Sequence, residues 1–81
     1  MRTLEQRLAL KQYQTLEILK TFSPELRQKY QNLPQLVQKA KTIRDANQAI
    51  FPMHKDAQVK IGYLWSLAEQ YDKMQQNNPN Q

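Results

Sequence analysis

Apolar residues recur along this chain at intervals of three and four, which is the spacing of one face of an α-helix. Segments 4–22, 34–50 and 56–75 carry this pattern, and a shorter segment starts at Pro24. The densest is 56–75, where one broad arc collects Ala57, Ile61, Leu64, Leu67, Ala68, Tyr71 and Met74. Tyr63 and Trp65 lie at the two margins of this arc. We therefore expect segment 56–75 to form a helix that turns the arc toward the core and on which the rest of the chain is organised.

Local signals mark two helix starts. Thr3 and Gln6 have the spacing of a capping box, in which each side chain accepts a hydrogen bond from the other residue's backbone amide. The first helix is therefore expected to begin near residue 4. Ser23 followed by Pro24 combines an N-cap residue with a proline at the first helical position, where no amide hydrogen is needed. A second, short helix is predicted to begin there.

Two prolines predict where helices end, because the residue before a proline is disfavoured in the α region. The turn at 32–34 should close the second helix, and Phe51 with Pro52 should close the third. Between these points the third helix shows one apolar seam, formed by Leu36, Ala40, Ile43, Asn47 and Ile50. Residues 53–55 would then link to the last helix. A kink at Pro52, instead of a break, is the alternative.

The first helix has a less regular apolar stripe. Its members are Leu4, Leu8, Leu16, Leu19 and Phe22. Gln12 lies in the middle of this stripe, and Leu10 points away from it. This pattern indicates a helix that is shared between the core and a partner.

These segments predict an all-α fold. The single glycine and four prolines leave a sheet without its usual turn residues. Three long helices and one short helix, joined by short connections, should form a small single-domain bundle over residues 1–75, with mostly antiparallel neighbours. Residues 76–81 have no apolar side chain to bury and are expected to form a disordered polar tail.

The inventory of reactive residues disfavours catalysis. The chain has no cysteine, and its one histidine, His54, has no second histidine beside it, whereas a zinc site takes three or four protein ligands. One glycine cannot form a glycine-rich phosphate loop. We therefore expect a non-enzymatic protein without metal, cofactor or small-molecule substrate. The longest apolar runs are three residues, too short for a membrane span or a signal peptide, and a cytoplasmic protein is expected.

Positive charge is in excess. Twelve basic residues against seven acidic ones give a net charge of +5, which favours anionic partners. Two outward helix faces carry Arg/Lys/Gln sets: Arg7, Lys11 and Gln14 on the first helix, and Lys41, Arg44 and Gln48 on the third. If these faces adjoin, their chemistry suits phosphates and base edges. A solvated basic face is the alternative interpretation.

Another set of residues suits a protein partner. Gly62 and Ser66 form a strip of small residues that another backbone could approach closely, in the fold or across an interface. Simple tolerance of a glycine at an exposed helix position is the alternative interpretation, and the sequence favours it over an interface. Tyr63 and Trp65 belong to the residue types that are enriched at interface hot spots. The candidate partner-binding residues are therefore Gly62, Tyr63, Trp65, Ser66 and Leu10.

Two functions follow from these two sets. We predict a protein-docking adaptor, inhibitor or regulator that binds a larger protein or complex. The alternative is a nucleic-acid-binding accessory protein that uses the cationic faces of helices one and three, and binding to a membrane surface ranks third. The sequence leaves open the partner's identity, the oligomeric state, and whether Trp65 is core or exposed.

Overall fold

The computed structural model describes residues 3–76, and it arranges them in five α-helices. These are α1 (Leu4–Leu19), α2 (Pro24–Lys29), α3 (Leu33–Lys39), α4 (Ile43–Ala57) and α5 (Ile61–Gln76). Residues 3–76 contain no strand, which confirms the predicted all-α class. Gln76, predicted to open the polar tail, is the last residue of α5, and residues 77–81 of that predicted tail lie outside the described part.

The two predicted helix starts are confirmed. The Thr3 hydroxyl oxygen accepts the Gln6 backbone N–H at 3.1 Å, and the Gln6 side-chain oxygen accepts the Thr3 N–H at 2.9 Å. Ser23 Oγ accepts the Leu26 N–H at 3.4 Å, with Pro24 at the first helical position. Caps of this kind depend on residues within one turn, so a single sequence is enough to find them.

The prediction of one continuous third helix from 34 to 50 is wrong, because this segment forms two helices, α3 and α4. Ala40 is extended, with φ −61° and ψ 141°, and ends α3. A new helix then starts at Thr42, whose hydroxyl oxygen accepts the Asp45 N–H at 3.0 Å. A Thr followed three residues later by Asp is itself an N-cap signal, and it outweighs the apolar spacing that runs across the break.

The break also shifts the phase of the buried residues. Leu36 and Asn47 of the predicted seam are exposed, whereas Val37 and Ala46, each one residue away, are completely buried. Ile50 is buried as predicted. In one continuous helix Val37 and Ala46 would lie on opposite sides, so only one of them could face the core. The buried residues of α3 and α4 therefore form two separate stripes.

Pro52 does not end a helix, and the predicted break there is wrong. It lies inside α4, exposed to solvent, while Ile50 and Met53 on the same turns are buried. Burial of these neighbours keeps the segment helical despite the lost amide donor. Residues 53–55, predicted as a link, are consequently the end of α4 and include the half-buried His54.

The actual end of α4 is at Gln58, which adopts the left-handed conformation with φ 53° and ψ 47°. The next amide, Val59 N–H, donates to the His54 carbonyl oxygen at 3.1 Å, as in a Schellman-type helix end. Asp56 therefore lies in the last turn of α4. The sequence had predicted that it opens the last helix, and this prediction is wrong. The Asp56 carboxylate accepts a hydrogen bond from the Tyr30 hydroxyl, and Lys29 Nζ lies 3.3 Å from the same oxygen. These contacts attach the end of α2 to the end of α4.

α1 is the central helix. It packs against α3, α4 and α5, and it buries Leu8, Thr15, Ile18 and Leu19. The polar residues in its stripe have partners: the Thr15 hydroxyl donates to the Lys11 carbonyl at 2.8 Å, and the Gln12 side chain donates to the Pro34 carbonyl at 3.4 Å. Hydrogen bonding thus accounts for the polar residues on the core side of α1. The predicted stripe itself is buried only in part, because Leu8, Leu19 and Phe22 are buried whereas Leu4 and Leu16 are exposed.

α5 lies at the edge of the fold, so the prediction that it is the organising helix is wrong. Leu67 is its one buried residue in the described range, with Leu64 and Tyr71 half-buried beside the core. Ile61 and Met74 of the predicted arc are exposed. The arc is too broad for a helix that packs mainly on one neighbour, α1.

This arrangement predicts unequal costs for two core truncations. Ile18→Ala should destabilise the protein by about 2–5 kcal/mol, because Ile18 is only 1% exposed at the centre of α1. Leu64→Ala should cost less, about 1 kcal/mol, because its side chain is already partly in water. Urea denaturation measures both free energies of unfolding. Equal losses would show that α5 contributes as much to the core as α1.

The strained end of α4 gives a second prediction. Gln58→Gly should stabilise the protein by about 0.5–1 kcal/mol, because glycine adopts positive φ without the cost that a side chain incurs. This figure allows for the greater backbone entropy that glycine gives the unfolded chain. Gln58→Ala, which keeps a Cβ, is the matched control and should stay within a few tenths of a kcal/mol of the original protein. Thermal melts of the three proteins check the order.

Candidate functional site

An open groove runs between α1 and α5. Its volume is about 370 Å³, and its lining comes from positions three, four and seven apart on both helices. α1 contributes Arg7, Leu10, Lys11 and Gln14, and α5 contributes Ile61, Leu64, Trp65 and Ala68. We refer to these eight residues as the α1–α5 groove.

The floor and one wall of the groove are apolar. Leu10, Leu64 and Ala68 are half-buried, whereas Ile61 is 74% exposed and Trp65 is 68% exposed. Trp65 is two residues from the buried Leu67, which places it 200° around the helix, on the other side from the core contact. Whether Trp65 is core or exposed was open from the sequence, and the structure places it on the surface.

The two helices are held together next to the groove. The Gln14 side-chain amide donates to the Leu64 carbonyl oxygen at 3.1 Å. The ring centroids of Tyr13 and Tyr71 are 5.4 Å apart and tilted by 49°, and the Tyr13 hydroxyl is 3.4 Å from the Gln70 side-chain oxygen, to which it donates. Gln14, predicted as a candidate nucleic-acid contact, therefore has a structural partner within the fold.

The α1 edge of the groove is electropositive. Within residues 3–76, no carboxylate lies at ion-pair distance from Arg7 or Lys11. Burial, and then the nearby Arg7, lower the pKa of Lys11 from its ordinary value. Burial, and then Lys11, likewise lower the pKa of His54 on α4. Arg7 and Lys11 therefore place two cations beside the apolar floor of the groove.

The structure combines residues from both predicted sets. Leu10 and Trp65 of the partner-binding set lie in the groove with Arg7, Lys11 and Gln14 of the cationic set. The groove also contains Ile61, Leu64 and Ala68, which the apolar period had assigned to the core. Periodicity alone did not identify them, because it does not show which part of an apolar arc another helix covers.

The remaining predicted residues lie elsewhere. Lys41, Arg44 and Gln48 are exposed, and Arg44 and Gln48 lie 200° around α4 from the buried Ala46 and Ile50. They are not part of the groove lining, so the six cationic-face residues are not gathered at this site. Gly62, Tyr63 and Ser66 are also exposed outside the groove lining. A Cβ added at Gly62 would have no atom of the described residues within 4 Å, so no other backbone in residues 3–76 approaches the strip closely at Gly62.

A larger cavity, of about 570 Å³, lies between α1 and the α2 region. Its edge carries Glu17 and Lys20, which form an ion pair at 2.6 Å, and Arg27, which donates to the Phe22 carbonyl at 3.3 Å. Its charged groups thus already have partners in the fold. In the α1–α5 groove, by contrast, apolar surface adjoins two cations that have no carboxylate partner within residues 3–76.

Residues 3–76 offer no other kind of site by two further criteria. Among them, no cluster of three or more His, Cys, Asp or Glu side chains could hold a metal ion. None of their helices has the length and apolar character to cross a membrane. In comparisons with known proteins, no family model, curated protein or solved structure gives a significant match.

His54 predicts a pH dependence of stability. Its pKa is lowered in the folded state from the ordinary 6.5, so the unfolded chain takes up the proton more readily. The contribution of the neutral His54 side chain to the free energy of unfolding is therefore fully present above about pH 6.5. It is lost as the pH falls through the pKa of His54 in the folded state. Between about pH 7.5 and 5.5 the original protein should lose more stability than His54→Gln, measured by urea denaturation. The same loss in both proteins would exclude His54 as the source.

Proposed function

We propose that this chain is a non-enzymatic protein-docking module, an adaptor, inhibitor or regulator of a larger complex, and that the α1–α5 groove is its docking site. The observation that carries the proposal is Trp65, which is 68% exposed beside the exposed Ile61 and above the apolar floor. Tryptophan anchors contribute strongly to binding when a partner buries them.

A protein partner is favoured over nucleic acid by the composition of the groove. Five of its eight lining residues are apolar, and only Arg7 and Lys11 are cations. Among the other cations, Lys20 pairs with Glu17 and Lys29 pairs with Asp56. A nucleic-acid surface would need several cations aligned along one backbone path.

The proposed setting is the cytoplasm. This part of the proposal rests on the sequence, which has no apolar run longer than three residues. No cofactor or small-molecule substrate is part of the proposed function.

The docking function predicts which substitutions abolish partner capture. In pull-downs from the native cells after nuclease treatment, Trp65→Ala should remove the captured protein, because its exposed indole supplies the anchor. The double variant Lys41→Glu/Arg44→Glu is the control, since these residues lie outside the groove lining, and it should keep the affinity within about tenfold. Helical circular dichroism should match the original protein for both variants.

The nucleic-acid alternative predicts the opposite pattern. Capture would then require intact nucleic acid, and affinity for duplex DNA would fall with salt at a log–log slope of about −4 for four or five phosphate contacts. The Lys41→Glu/Arg44→Glu variant would weaken binding to all sequences alike. That set of results would overturn the docking proposal.

A further inference from the structure

We propose that the partner segment bound in the α1–α5 groove is an acidic amphipathic α-helix. This inference rests on the docking function proposed above, and it concerns the chemical class of the occupant.

The spacing of the groove residues fits a helical occupant. On α1 the lining residues follow positions 7, 10, 11 and 14, and on α5 they follow 61, 64, 65 and 68. Both series span two helical turns, about 10 Å at 1.5 Å per residue. Anchors of a bound helix recur at i, i+3 or i+4, and i+7, over the same length. A third helix can therefore place one apolar side between these two ridges.

The charge of the groove edge selects an acidic helix. Arg7 and Lys11 are four residues apart, so they lie on adjacent turns of the same side of α1, about 5–6 Å from each other at Cβ. Carboxylates four residues apart on the flank of the occupant would match them. Within residues 3–76 neither cation has a carboxylate at ion-pair distance, so both are available to pair with the occupant.

The two occupants that the chain itself offers fit less well. A second copy carries the same net charge of +5, and the residues that line its groove include the same two cations and no carboxylate to pair with them. The C-terminal residues 77–81, Asn-Asn-Pro-Asn-Gln, have neither a carboxylate side chain nor an apolar side chain to place in the groove. A separate acidic protein segment remains the best match.

An unbiased peptide selection tests the class of occupant. A displayed library of random peptides, about 16 residues and thus about 24 Å long as helices, is selected on the immobilised full chain, with depletion on Trp65→Ala. The expected enrichment is for apolar residues at i, i+3 or i+4, and i+7, with Asp or Glu along one flank. The enriched peptides should become helical on binding, seen by circular dichroism, and should change the Trp65 fluorescence.

Matched charge variants then locate the contact. Arg7→Glu/Lys11→Glu should weaken binding of the enriched peptides by about tenfold or more, while Lys41→Glu/Arg44→Glu, with the same change in net charge, should weaken it less than about threefold. Equal effects of the two double variants would overturn the proposal, because only overall charge would then matter. Matching circular dichroism spectra establish that both variants are folded.

The outcomes separate this inference from the docking function. Trp65-dependent peptides that are neutral or basic would overturn the acidic occupant and leave the docking function in place. Failure to enrich any Trp65-dependent peptide would overturn the acidic occupant, and loss of the Trp65 dependence of native partner capture would overturn the docking function. Concentration-dependent dimerisation that blocks the groove, seen by sedimentation and lost in Trp65→Ala, would assign the groove to a second copy instead.

Discussion

Burial of one side of α1 is the constraint on which the rest of the structure depends. Leu8 and Ile18 of α1 are buried, and α3, α4 and α5 all pack on this one element. α5 has mainly α1 as its neighbour, so the position of α5 follows from contacts such as Gln14 with the Leu64 carbonyl. The groove thus forms because two adjoining sides of α1 have different neighbours. The core side of α1 organises the bundle, and an adjoining side, carrying Leu10 and Lys11, forms one wall of the groove.

Local signals in the sequence predicted the helix starts well, and long-range burial decided the rest. Thr3 and Ser23 form the caps that their neighbours predict. Thr42 forms a cap of the same kind, but the apolar spacing from 36 to 50 runs across it and predicts one continuous helix. Pro52 carried a strong local preference for a helix end, yet the burial of residues on both sides outweighs it. The left-handed residue that does end α4, Gln58, is not a glycine, so nothing in the local sequence marked it.

The candidate site was predictable only in part, for a related reason. The apolar period of α5 shows which residues share an arc, but it does not show how wide a strip its neighbours cover. In this small bundle the cover extends over Leu67 and part of Leu64, and it stops before Ile61 and Trp65. From the sequence, Trp65 supported a protein-docking function and Lys11 supported nucleic-acid binding. In the structure α1 and α5 pack side by side, and both residues line one groove.

Different residues of this fold contribute to its stability and to the proposed binding. Ile18 and Leu67 are buried within the chain, so their apolar surface already contributes to folding. Trp65 and Ile61 keep most of their surface in water, so a partner that covers them gains transfer free energy that the fold does not use, about 1.5–3 kcal/mol for a fully buried large apolar side chain. Arg7 and Lys11 have no carboxylate at ion-pair distance in residues 3–76, so their charges are likewise available to a partner. Substitutions on the exposed wall of the groove therefore act mainly on association, whereas those on the buried side of α1 act mainly on folding.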